Sequence, residues 1–331
     1  MYQSFYSFSA MPFQLTPDNR FYFGSQEHRK AMAFLQYGLS QQEGFVVVTG
    51  EIGAGKTTLV EHLLSTLDLN DYVVARVVTT QLGGYDTLCV IANAFGIASE
   101  GVEKGVLIGR VRQFFSSLQT QGKHAVVIVD EAQSLTMEAV EELRMLSNLT
   151  SGPQAPFQGV FLGQPEFRLV LSSPELQQLR QRVVASCHLG ALNPEDTRKY
   201  IEHRLGRVGW VGDPAFSDEA FEEIHHHSGG IPRRVNSLCS RLLLLGYLEE
   251  RHAIDAAAVI SVAQEMATEL GIPGGYRNDL KESGAARQLT DGSEEIQTRL
   301  QRLERATAKH DRAMLRLLDL ALKYLPTQSA N

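Results

Sequence analysis

The sequence predicts an α/β protein: a doubly wound parallel sheet of five core strands, then a small all-helical domain, then a C-terminal helical tail. Three observations predict it. Short continuous apolar runs alternate with helix-forming stretches as far as about Leu189. From Asn193 the pattern is helical only, and after a Gly-rich gap a heptad pattern follows. Uninterrupted apolar strands bounded by helices imply a sheet covered on both faces, as parallel sheets are.

The elements follow in order. An aromatic, polar opening leads into "SQEHRKAMAFLQYGL", a helix with Ser25 as N-cap and Glu27 in its first turn. "FVVVT" is a buried strand and "KTTLVEHLLSTL" a helix; "YVVARVV" is a strand followed by helices around Thr87–Phe95 and Val106–Leu118. "HAVVIVDEA" is a strand before the helix "MEAVEELRMLSNL". "QGVFLG" is a strand, "EFRLVL" and "ELQQLRQR" are short helices, and "VVASCHL" is the last strand. Asn193 and Pro194 then open a helix as N-cap and first residue, and three further helical stretches reach about Met266. The tail places Ile296, Leu300, Leu303, Thr307, His310, Met314, Leu317, Ala321 and Tyr324 at heptad spacing. A self-associating coiled coil is expected there, an amphipathic helix docked on its own domain being the alternative. The resulting division is an N-terminal segment and helix (1–44), an α/β domain (45–192), a helical lid (193–270), a flexible linker (271–292) and a coiled-coil helix (293–325).

Composition narrows the function. A chain of 331 residues with net charge −7 has no overall attraction to nucleic acid or acidic membrane. Three separated cysteines, with no CxxC, argue against a zinc site or a disulfide framework. No apolar run of about 18 residues occurs and the opening lacks a signal-peptide pattern, so a cytoplasmic location is expected. The run His225–His227 does not read as a metal site, because consecutive helical residues point about 100° apart.

The chemistry concentrates in "GEIGAGKT". Gly50, Glu51, Ile52, Gly53, Ala54, Gly55, Lys56 and Thr57 match G-x-x-x-x-G-K-[ST] between a strand and a helix. Glycines let backbone N–H groups curl around phosphate oxygens, and the helix N-terminus adds its dipole. Lys56 reaches the β- and γ-phosphates, the Thr57 hydroxyl is a Mg²⁺ ligand, and Thr58 completes the binding loop. Asp130 and Glu131 end the strand "VVIVD" at the edge where α/β sheets bind ligands. Asp130 is assigned to the Mg²⁺ shell and Glu131 to activation of the attacking water. Gln164, at the end of "GVFLG", is placed to sense the γ-phosphate or orient the water. Arg180 and Arg182, before the last strand, and Arg233 and Arg234, opening a lid helix, are candidate phosphate-charge stabilisers.

These elements in this order resemble an AAA+ ATPase. "MPFQLTPDNRFYFGSQEHRKAMAFLQYGL", "GQPEF" and "LRQRVVASCHLGALNPEDTRKYIEHRL" resemble the general secretion pathway protein A type, over about residues 1–266. Within it, the sequence is most similar to secretion ATPases of exosortase and exopolysaccharide (PEP-CTERM) loci. The resemblance implies ATP and Mg²⁺ as ligands, envelope secretion or polysaccharide-export proteins as partners, and a homo-oligomer. It makes Lys56 and Thr57 the Walker A pair, Asp130 and Glu131 the Walker B pair, Gln164 sensor 1, Arg182 the arginine finger acting in trans, and Arg233 the sensor 2 arginine. Envelope members of the family continue into a membrane span and a peptidoglycan-binding region. The heptad segment here departs from that pattern and points to a cytoplasmic regulatory or assembly role. The alternative is a nucleotide-switched adaptor resembling transposition-helper ATPases, binding DNA or a partner. Net charge disfavours DNA, and the tail's Arg299, Arg302, Arg305 and Arg312 only keep that alternative open.

Overall fold

The computed structural model describes residues 2–269 apart from 17, 69, 79–81, 150–154 and 156, within one compact unit, Met1–Asn278. The linker and coiled-coil expectations lie outside the described residues. A one-turn helix α1 (Tyr2–Phe5) and an aromatic segment precede α2 (Gln26–Ser40). The α/β region runs β1 (Phe45–Gly50), α3 (Lys56–Thr66), β2 (Tyr72–Val78), α4 (Gly84–Ala94), α5 (Lys104–Thr120), β3 (His124–Asp130), α6 (Met137–Leu146), β4 (Gln158–Gly163), α7 (Glu166–Leu171), α8 (Gln177–Arg180) and β5 (Val183–Leu189). The lid follows as α9 (Pro194–Gly206), β6 (Ala215–Phe216), α10 (Asp218–Ser228), α11 (Pro232–Leu248), β7 (Ala253–Ile254) and α12 (Ala256–Glu269).

The five strands are parallel in the order β2-β3-β4-β1-β5. Every residue of β1 and β4 is buried, because both faces of the sheet are covered. Alternate residues serve the two faces. Phe45, Val47, Val127, Val129 and Phe161 pack with α4, α5 and α6 through Leu88, Ile91, Leu107, Phe115 and Leu143. Val46, Val48, Val126, Ile128, Val160 and Leu162 pack with α2 and α3 through Leu35, Leu39, Leu59 and Leu63. Burying such side chains stabilises by roughly 1.5–3 kcal/mol each.

Ser25 caps α2 by accepting from the His28 N–H at 3.2 Å, and Asn193 caps α9 by accepting from the Asp196 N–H at 2.7 Å. The lid adds a feature too short for sequence periodicity: β6 and β7 pair in parallel, two residues each. The aromatic opening belongs to the lid core. Tyr6, Phe8, Phe13 and Phe21 are buried there with Ile201, Leu205, Phe221, Ile224, Leu238 and Leu243. The buried Arg204 of α9 fastens this segment. Its Nε donates to the Pro12 carbonyl at 2.6 Å, Nη2 to the Gln14 carbonyl at 3.3 Å and Nη1 to the Tyr200 hydroxyl at 2.8 Å, with the Phe21 ring 4.7 Å from the guanidinium. The described residues between Tyr2 and Phe21 thus strap the lid, Tyr22 packs on the α3 side, and α2 carries the chain on to the sheet.

Candidate active site

Strands β1, β4 and β3 are neighbours, so the turns leaving their carboxyl ends meet. The loop after β1 needs its glycines for two reasons. Gly53 and Gly55 have φ of 83° and 100°, the left-handed region that glycine tolerates. Other groups also come close: a Cβ on Gly53 would lie 2.3 Å from the Arg233 Cβ, and one on Gly55 would lie 2.8 Å from His28 Nε2. The Ala54 N–H donates to the Glu51 carbonyl at 3.1 Å and closes the turn. Ile52 is 58% exposed at the loop's rim.

Lys56 opens α3 with its side chain buried. Its ammonium donates to the Gly50 carbonyl at 2.6 Å and the Glu51 carbonyl at 3.0 Å. Burial lowers its pKa, and the nearby Glu131, Asp130, Glu51 and Glu166 oppose that shift. The Thr57 hydroxyl donates to Asp130 Oδ2 at 3.0 Å, and Asp130 Oδ1 accepts the Glu131 N–H at 2.9 Å. A hydroxyl and a carboxylate beside a phosphate-shaped loop are hard oxygen donors, a set that fits Mg²⁺ completed by phosphate oxygens and water.

Glu131 sits at φ 53°, turning the chain sharply off β3. Its Oε2 accepts from Gln133 Nε2 at 2.5 Å and from Gln164 Nε2 at 3.3 Å. The structure therefore brings Lys56, Thr57, Asp130, Glu131 and Gln164 to one edge, with Thr58 in the lining of the same cleft. Arg233 joins them. It lines the cleft, and its N–H donates to the Gly53 carbonyl at 3.1 Å, a direct bond from lid to loop.

Arg182 is elsewhere. Its carbonyl accepts from the N–H of Phe45, the first residue of the six-residue β1, roughly 17–20 Å from the loop at the other end. Its guanidinium donates to Ser147 Oγ at 2.8 Å and to Asn148 Oδ1. Arg180 donates to the Leu171 carbonyl at 3.0 Å. Neither enters this chain's own cleft. The lid histidines diverge: His225 meets the Thr197 hydroxyl at 2.9 Å, and His227 lies 3.4 Å from Glu223.

Sequence reasoning missed two residues. Gln133 follows the Asp-Glu pair at a spacing that could have singled it out. His28 carries no comparable signal, because its contact with the loop is tertiary. Its Nδ1 lies 2.7 Å from Ser25 Oγ, and burial lowers its pKa to about 4 despite the Ala54 backbone and Asp196. The opposite wall of the cleft comes from the strap and lid. Tyr22 stacks on His62 at 3.8 Å, and Phe23 meets Tyr200 edge-on at 5.9 Å.

A parallel sheet with its loop, acidic pair and helical lid so placed is the P-loop AAA fold. Residues 39–171 match the family model for the AAA domain, from within α2 through α7. The chain is similar to two solved structures at fold level. One is Cdc6p from Pyrobaculum aerophilum, at TM-score 0.59 and 13% identity, covering 80% of this chain and 70% of that one. The other is the ADP form of ORC2 from Aeropyrum pernix, at TM-score 0.57 and 17% identity, covering 78% and 73%. In sequence it is 35% identical over 267 residues to the general secretion pathway protein A of Aeromonas hydrophila, covering 80% of this chain. The chain spans about half of that relative's length, 48%. Among the described residues no helix is long and apolar enough to cross a membrane.

Proposed function

We propose that this chain binds and hydrolyses ATP and uses the cycle to drive or regulate a cell-envelope secretion process. The observation that carries the reading is the convergence of Lys56, the Thr57–Asp130 pair and the Glu131–Gln164 pair on one sheet edge. The loop N–H groups and Lys56 hold the β- and γ-phosphates. Thr57 and Asp130 would hold Mg²⁺, which would supply positive charge against the phosphates. Glu131 takes the proton of a water attacking the γ-phosphorus as the bond to the bridging oxygen breaks, giving ADP and phosphate. Gln164 orients that water or the γ-phosphate, and Arg233 couples the lid to the nucleotide in cis.

Arg182 acts in trans, in a homo-oligomer. Its distance from its own loop supports this, since it has no reach to its own phosphates. The secretion reading rests on the 35% identity to general secretion pathway protein A. Its extension to exopolysaccharide export or protein sorting rests on the sequence resemblance alone. The test is phosphate release from ATP by the purified chain with and without Mg²⁺. Release that needs Mg²⁺ and rises per chain with protein concentration is expected; no release above buffer overturns the reading. Mixing Arg182→Ala with Lys56→Ala chains should restore some turnover, and its absence in a co-assembled mixture rejects the trans role.

A further inference from the structure

Gln133 has no part in the reaction outlined above, yet its carboxamide joins two of the groups that do. Nε2 donates to Glu131 Oε2 at 2.5 Å, while Oε1 accepts the backbone N–H of Gln164 at 2.9 Å. The β3–β4 register stops at Val129↔Phe161. Glu131 and Gln164 therefore lie beyond the paired strands, where no sheet register sets their separation. Glu131 is also exposed and left-handed at φ 53°, and an exposed side chain of that length samples several rotamers unless it is held.

We infer that Gln133 is a positioning residue that fixes the Glu131 carboxylate against the strand end bearing Gln164. The inference rests on the hydrolytic reading of this site. The residue type suits the task. A carboxamide donates and accepts from one planar group, as both bonds require. Leucine supplies neither bond. Glutamate keeps the acceptor for the Gln164 N–H but places a second negative charge against Glu131. Two amides on a single carboxylate oxygen restrict rotation of the group.

The experiment measures steady-state ATP turnover and nucleotide affinity for the full chain and for Gln133→Leu and Gln133→Glu, each alone and combined with Glu131→Gln. Either single variant should lower kcat by roughly 10²-fold, the effect of misplacing a reacting group by about 1 Å. The KM for ATP and the affinity for a fluorescent ADP should be unchanged. In the Glu131→Gln background, followed by single-turnover release of labelled phosphate, either variant should cost nothing further, because Gln133 acts through the Glu131 carboxylate. Unchanged kcat, an equal loss in the Glu131→Gln background, or a weakened nucleotide affinity that accounts for the loss would overturn the proposal while leaving the site reading intact. A wild-type chain without turnover, or one indifferent to Glu131→Gln, overturns both.

Discussion

The two walls of the cleft are built in different ways. One is the carboxyl edge of the sheet, where the turns after β1, β3 and β4 present Lys56, Thr57, Asp130, Glu131 and Gln164. Asp130 ends β3, Glu131 and Gln164 follow β3 and β4 directly, and Lys56 and Thr57 open α3 after the loop leaving β1. The other wall is assembled from distant segments: Arg204 bonds to the Pro12 carbonyl across 192 positions of sequence, and Tyr22 stacks on His62. Charge and hydrogen-bond donors dominate the first wall, aromatic packing the second. The phosphates would meet a surface that the sheet holds rigid. The rest of the nucleotide would meet a surface shared by the lid, through Phe23 and Tyr200, and by Tyr22 stacked on α3.

The largest expected effect falls on the sheet wall. Lys56→Ala removes a buried cation from the phosphate loop. Losing one partner of a buried charge pair costs about 3–5 kcal/mol, so nucleotide affinity should fall by roughly 10²–10⁴-fold. Titration with a fluorescent nucleotide measures this, and circular dichroism should show the fold retained.

Next is the strap. Arg204→Met keeps much of the side-chain stem but leaves the Pro12 and Gln14 carbonyls and the Tyr200 hydroxyl without that donor. Unsatisfied buried polar groups cost about 1–3 kcal/mol each. The urea midpoint should fall markedly, and nucleotide affinity should fall less than in Lys56→Ala. Equal losses of affinity in the two variants would mean that the walls are not separable.

The smallest effect reads the seam between the walls. Burial lowers the His28 pKa from 6.5 to about 4. Between those values the unfolded chain binds a proton that the native chain refuses. Stability therefore falls as pH drops from 6.5 toward 4, by about 3 kcal/mol from this residue. His203, His225 and His227 have lowered pKa values too, so the wild type must be compared with His28→Gln. Urea unfolding across this range should show a steeper loss in the wild type, and parallel curves would remove His28 from the account.

The contrast between the walls also explains what the sequence revealed. The phosphate loop and the Asp130-Glu131 pair were legible because their chemistry is local: a strand, a turn and a few residues at fixed spacing. Gln164 was legible for the same reason, as the polar residue ending an apolar run. Gln133 stands two positions after Glu131, a spacing that could mark it, but its two bonding partners are set only by the fold. The aromatic opening gave no hint that it completes the lid core, since Tyr6, Phe8, Phe13 and Phe21 follow no single period and pack in one cluster with residues from Leu192 to Val262. His28 was hidden likewise, its burial arising only when α2 lies against the loop.

On the sheet wall, holding the nucleotide and cleaving it fall to different residues. Glu131→Gln tests this most directly, because it keeps the shape and removes the base. Paired measurements of ATP affinity and turnover should show affinity within about twofold of wild type and turnover reduced by roughly 10²–10⁴-fold. Loss of affinity matching that of Lys56→Ala, or turnover left intact, would contradict it.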